Sequence, residues 1–398
     1  MDTSRLAMMR EKMRSEIDAS YVPKLLTRQP RLFSPGMIQV ISRGERAFTR
    51  ADEHIGASPY RDCVKAMTLN IEAICSAIID GGEYSLMDLL MHDIKRRGLT
   101  DAEQADAASK ASTPFDAIWY RERIEKCNSC SNMGSFVFDT DSLDDLHRQL
   151  VIHSRPKSMH QARNGEGATL EAIPFLRNPL PEDQLREYVD DLCKFCNTDI
   201  YSPLIQTGLA HFQLECIRPY ETGLDSLGRQ ITYIIYAKRG FSRHVPVAVA
   251  VESIRRVEGP GSQSKQKAES QAKRSALEMW IYNGAKMLVH EADTIMEMEQ
   301  AFANIENGWR ERIVGVRRDD ICDVLLHDLL AHPIVNAKYI AERCEKTLPA
   351  ANDAVRKLAD AGVIEPIDSR KRNRYFYAAD IVRYYELQLE SILPNQLA

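Results

Sequence analysis

The amino-acid sequence predicts a mainly α-helical protein, on three observations. Apolar residues recur at helical spacing along most of the chain. Helix starts and stops carry recognisable capping signals. Extended segments are expected only in one short hairpin and near the C-terminus. A length of 398 residues exceeds one typical domain. The pattern divides it into an N-terminal helical region over 1–115, a helical core over 116–310 and a C-terminal module over 311–398.

The elements follow in order. Val64, Met67, Ile71, Ile74, Cys75 and Ile78 repeat at helical spacing, and the run stops at Gly81-Gly82. A second helix follows Ser85, with Asp88 three residues on in a capping-box arrangement. A third spans roughly Ser142–Ile152. Ser158–Pro174, with Gly165 and Gly167, reads as a loop or hairpin, and a helix follows over Glu182–Phe195.

Ser202-Pro203 supplies an N-cap and an N1 proline for a helix with an Ile205, Leu209, Phe212, Cys216 stripe. A polar loop over Arg218–Arg229 is expected next, then a helix carrying Ile231, Ile234 and Ile235 that ends at Gly240. Val245–Val251 is a strand-length apolar run broken by Pro246. The polar stretch from Glu258 to Arg274 reads as a loop or the lead into a basic helix.

Composition narrows the function classes. A net charge of −5 argues against nucleic-acid binding over the whole surface, although a local basic patch is compatible with it. No apolar run reaches membrane-spanning length, and the N-terminus has no signal-peptide core, so a cytoplasmic chain without membrane contact is expected. Nine cysteines without an export signal point to reduced thiols. Cys127/Cys130 and Cys193/Cys196 have metal-ligand spacing, but they lie far apart and the second pair falls on a helix face. Buried thiols are therefore expected rather than zinc, and no metal site is assigned.

A glycine-bearing loop running into a helix suits anions, because first-turn N–H groups are unpaired and the dipole is positive there. Gly223, Gly228 and Arg229 are the candidate cradle. Leu209–Ile217 followed by Arg218-Pro219-Tyr220, Gly223, Gly228 and Arg229 resembles the Fic (Fido) family. That family's signature reads His-Pro-Phe-x-Asp/Glu-Gly-Asn-Gly-Arg-x-x-Arg. Here three extra residues separate the glycines. Ser76, Asp80 and Gly81 are similar to the family's inhibitory helix motif, Ser/Thr-x-x-x-Glu-Gly/Asn.

The resemblance implies a Fido-fold helical core in which Ser158–Pro174 is the flap. It also implies a site for ATP with Mg²⁺ and transfer of AMP to a target hydroxyl. The departures point elsewhere. Arg218 stands where the general-base histidine belongs, and a guanidinium neither accepts a proton at neutral pH nor offers a lone pair. Thr222 stands at the metal-binding acid and is a poor ligand for a hard dication. Glu221 and Asp225 are the nearby acids. Thr232 falls at the second motif arginine, which leaves Asp80 without the cation that an inhibitory ion pair requires. His211 is expected to be a structural helix histidine.

The C-terminal region predicts three helices, Asp319–Ala331, Asn336–Cys344 and Pro349–Ala361. An extended segment from Gly362, a basic turn and the aromatic strand Tyr375-Phe376-Tyr377 follow. This order spells a winged helix-turn-helix. Arg370, Lys371, Arg372 and Arg374 on the wing, with Arg356 and Lys357 on the third helix, are candidate DNA contacts. The expectation is a degenerate Fic-type protein, inactive in AMP transfer, that binds nucleotide, DNA or a protein partner as a regulator. The alternatives are an active adenylyltransferase and a purely structural interaction protein.

Overall fold

The computed structural model describes residues 23–28, 31–80, 82, 84–97, 117–128, 133–150, 182–220, 222–258, 276–313, 320–369 and 374–393. These residues are mainly helical, with three short strands. None of the helices is long and apolar enough to cross a membrane. The expected flap at Ser158–Pro174, together with Gly81, Cys130, Glu221, Arg370, Lys371 and Arg372, lies outside the described residues.

Helix α1 (Pro35–Gly56) starts at the Ser34 cap, whose hydroxyl accepts from the Met37 N–H at 3.3 Å. Its buried residues Met37, Ile41, Gly44, Phe48, Ala51 and Ile55 recur every three or four positions and form one stripe. Helix α2 (Arg61–Ile79) is buried on nearly every side, so it forms the central post of the molecule. Just beyond its end the Gly82 N–H returns to the Ala77 carbonyl at 2.8 Å. Helices α3 (Leu86–Arg97), α4 (Ala117–Cys127), α5 (Thr140–Leu150) and α6 (Glu182–Cys196) follow.

Helices α7 (Pro203–Ile217) and α8 (Leu224–Lys238) pack as an antiparallel pair. Their connection is shorter than the sequence predicts. Residues 224–229, expected in the loop, form the first turns of α8. Helix α9 (Val249–Glu258) replaces the second half of the strand-length run at Val245–Val251. The cause is Glu72 on α2, whose buried carboxylate accepts from the Ala250 and Val251 N–H groups at 2.7 and 3.2 Å and so caps the new helix. Asp52 of α1 does the same for the segment before it, accepting from the N–H groups of Arg243, His244 and Val245 at 2.9, 3.0 and 2.9 Å.

Helix α10 (Ala276–Arg312) runs along α1 and also packs on α7. The remaining chain forms α11 (Ile321–Ala331), β1 (Ile334–Val335), α12 (Ala337–Arg343), α13 (Leu348–Asp360), β2 (Ile364–Pro366), β3 (Phe376–Ala378) and α14 (Ala379–Ile392). The antiparallel sheet has the order β1-β3-β2, with Ile334 opposite Tyr377 and Pro366 opposite Phe376. Strand β1 has no counterpart in the sequence reading, since two residues carry no periodicity.

This C-terminal unit is bolted to the helical body. The Trp309 indole donates to Asp380 at 2.6 Å, and Asn70 of α2 donates to the Tyr385 hydroxyl of α14 at 2.9 Å. Asn70 in turn accepts from Arg121 Nε at 2.7 Å.

Candidate functional site at the α7–α8 loop

The site forms where the end of α7, the start of α8, the end of α2 and helices α4 and α5 converge. Arg218 caps α7 with φ 45° and ψ 64°, in the left-handed region, a conformation that side-chain-bearing residues enter at a cost and often at functional loops. Its side chain is buried, with Nη1 3.5 Å from Glu215 one turn back. The position thus holds a permanent cation neutralised by a carboxylate, with no proton acceptor on the arginine itself.

Helix α5 fixes the outer side of the loop. His147 lies flat on Tyr220, with ring centroids 3.7 Å apart and planes 8° from parallel, and its Nε2 donates to the Thr222 carbonyl at 2.9 Å. Burial lowers the His147 pKa, consistent with a neutral ring. The Tyr220 hydroxyl donates to Asp144 at 2.5 Å, and its pKa is raised by burial and then by that carboxylate. The Thr222 side chain is exposed. Gly223, at φ 74°, makes the turn into α8, where a side chain would be strained.

The inner side is an ion-pair cluster. Arg229 is 1% exposed. Its Nη2 lies 2.8 Å from the Asp80 carboxylate and 3.1 Å from Ser226 Oγ, and its Nη1 contacts Asp225 one turn back. The Tyr120 and Ser226 hydroxyls both donate to the same Asp80 oxygen. Burial alone would lower the Arg229 pKa, but Asp225 and Asp80 more than offset it and hold it above the ordinary value. Tyr120 is raised by burial and by Asp80.

Asp80 therefore has a cationic partner, against the sequence expectation. Residues 224–229, expected in the loop, instead form the first turns of α8 directly after Gly223. Thr232 instead bonds within the helix, donating to the Gly228 carbonyl at 2.9 Å. Ser76 is buried beside the Tyr233 hydroxyl.

Gly228 is likewise not a loop residue. It lies inside α8, where a Cβ would stand 2.2 Å from His211 Cδ2. Its small size lets α8 close on His211, which Trp280 abuts edge-on at 5.1 Å. Of the expected cradle, Gly223 alone sits in the loop; Gly228 faces the neighbouring helix, and Arg229 turns its buried guanidinium to Asp80 and Asp225.

One group of metal-ligand type occurs among the described residues: His211, Glu215 and Asp225 offer atoms within 4.8 Å of one another. It fits Mg²⁺ poorly. Both carboxylates already pair with Arg218 and Arg229, and Mg²⁺ asks for a near-complete oxygen shell. Cys193 and Cys196, both buried, join no such group among the described residues. Their thiols are pushed up by burial, that of Cys193 to about 12.

The DNA candidates lie far from this loop in the chain. Arg356 and Lys357 are exposed on α13, and Arg356 pairs with Asp353 at 2.6 Å. Arg374 stacks on Phe376 at 4.9 Å. Sequence reasoning missed Tyr120, Asp144 and His147, which come from helices remote in sequence and carry no motif, and Ser226, which lies within the Arg218–Arg229 stretch but was given no role.

No family profile matches the chain, and no curated protein matches it either. Among solved structures, it is similar to the crystal structure of a Fic family protein from Desulfovibrio desulfuricans G20. The TM-score is 0.40 at 15% identity, over 88% of this chain and 98% of that one.

Proposed function

We propose that this chain is a Fic-type protein that has lost AMP transfer and acts as a regulator. The Asp80–Arg229 pair holds its nucleotide loop shut. The single observation that carries the reading is Arg218. The base position holds a buried guanidinium tied to Glu215, and loss of a general base alone typically slows such chemistry by about 10²–10⁴-fold. Counted without a gap, the twelve motif positions of the resemblance run from Arg218 to Arg229, and this supports the same reading, because the resemblance pairs an inhibitory-helix acid with the last motif arginine. Asp80 and Arg229 stand in that relation at 2.8 Å. A nucleotide phosphate reaching the α8 N-terminus would compete with Asp80 and Asp225 for the Arg229 guanidinium.

The C-terminal unit, with its three helices and β1-β3-β2 sheet, supports a winged helix-turn-helix in which α13 reads DNA. Its exposed Arg356 and Lys357 suit phosphate contacts. Labelled ATP with Mg²⁺ tests the first half. The wild type and Asp80→Ala incorporate no label, whereas incorporation by Asp80→Ala that is lost in Asp80→Ala/Arg229→Ala would revive the transferase. A salt titration of duplex binding tests the second half. Removing Arg356 and Lys357 lowers the salt slope by about one for each phosphate left unneutralised, and an unchanged slope excludes α13 from the interface.

A further inference from the structure

A second polar cluster lies one turn along α4 from Tyr120, behind the loop site. Arg123 is mostly buried. Its Nη1 donates to Gln149 of α5 at 2.8 Å, its Nη2 donates to Gln230 of α8 at 3.2 Å, and its guanidinium sits 4.9 Å over the Trp119 ring. Its Nε is buried without a hydrogen-bond partner. The buried arginines Arg121, Arg218 and Arg229 each pair with a carboxylate, but Arg123 has none among the described residues. Burial lowers its pKa. The carbonyl end of α4 offsets only about half a charge, and neutral carboxamides offset none. An uncompensated buried cation is costly unless something else balances it.

Arg123 lines a cavity of about 190 Å³. Lys126 stands at its exposed edge, and Met133, Phe136, Leu146 and Ile234 supply apolar walls. The one acid on the lining, Asp145, is already paired with Arg148. Apolar walls around a few convergent polar groups characterise small-molecule sites. A cavity of about 150 Å³ is enough to take up benzene.

We propose that this cavity binds a small organic anion. Its carboxylate or phosphate head would lie on Arg123 and Lys126, and its apolar body against Phe136 and Ile234. The site is separate from the α7–α8 loop and does not depend on the Fic-type reading.

Thermal-shift and calorimetric titrations of the full chain with benzoate and with inorganic phosphate test it. At least one probe gives a saturable rise in Tm, and which one does identifies the head group. Arg123→Met, similar in length but uncharged, weakens binding by about tenfold or more, the factor expected for loss of a charge-assisted bond. Lys126→Ala, at an exposed position, weakens it severalfold. Without anion, Arg123→Met has an unchanged or higher Tm, because an unbalanced charge has been removed. A lower Tm would make Arg123 a tether between α4, α5 and α8 and overturn the proposal. So would the absence of saturable binding by both probes, or equal affinity in Arg123→Met.

Discussion

Arg229 Nη2 lies 2.8 Å from the Asp80 carboxylate, joining residues 149 positions apart at the point where α2 ends and α8 begins. The contact couples the central post of the fold to the loop that would receive a ligand. With the arginine 1% exposed, the pair lies in a region where removing one partner strands the other.

Truncation of either residue accordingly costs more than an exposed ion pair would. Asp80→Ala is expected to lose about 3 kcal/mol of unfolding free energy, and Arg229→Ala a similar amount. The double variant loses less than the sum, with a coupling of about 1 kcal/mol or more. Urea unfolding of the four proteins measures this, and strict additivity would mean the two residues do not interact.

Glu72 gives a pH dependence. Burial raises its pKa to about 7 from the ordinary 4.5, against the opposing hydrogen bonds from Tyr233, Ala250 and Val251. The folded state holds a proton that the unfolded state has released between those values. The contribution to stability is therefore complete below pH 4.5 and declines as pH rises toward 7. The total is about 3 kcal/mol. Glu72→Gln removes this titration, so the stability difference between the variant and wild type changes by that amount between about pH 4.5 and about pH 7.5. A difference flat with pH would contradict the assignment.

Asp52 is a pure anchoring residue. Its carboxylate, 2% exposed, receives three main-chain N–H bonds from residues 243–245. Asp52→Ala leaves those donors buried and unmatched, at a cost of about 3 kcal/mol. Faster amide exchange at Arg243, His244 and Val245 is the local signature, and unaltered protection there would refute it.

Gly228→Ala places a methyl on the His211 ring, which is enclosed by Trp280. The two helices must separate or the ring must turn, at a cost of about 1–3 kcal/mol. A neutral outcome in thermal unfolding would mean that the His211 ring yields freely.

The helices were legible wherever an apolar stripe coincided with a capping signal, as at Ser202-Pro203 and Ser85. Two helix starts were not. Gly228 lowers helix propensity and so reads as loop, yet close contact with His211 favours a glycine there and the helix runs through it. Val249 begins a helix because Glu72, 178 positions before Ala250, caps it, and nothing local announces this. The misplaced start of α8 had a further effect. Placing residues 224–227 in a loop hid the partner of Asp80, because Arg229 reaches that carboxylate from inside α8. Arg218 at the head of the loop was legible from identity alone. The polar contacts of Tyr120, His147 and Arg123 were not, because side chains from separate helices meet without sequence spacing.

Helix α10 is continuous for 37 residues. It packs Trp280 on His211 near its beginning, and its Trp309 bonds to Asp380 near its end. Those tryptophans stand about 44 Å apart along the axis. One unbroken rod therefore ties the helical body to the C-terminal unit, and the Asn70–Tyr385 bond fastens the same unit to α2 ten residues before Asp80, so the two cannot move apart without bending α10 or breaking that bond.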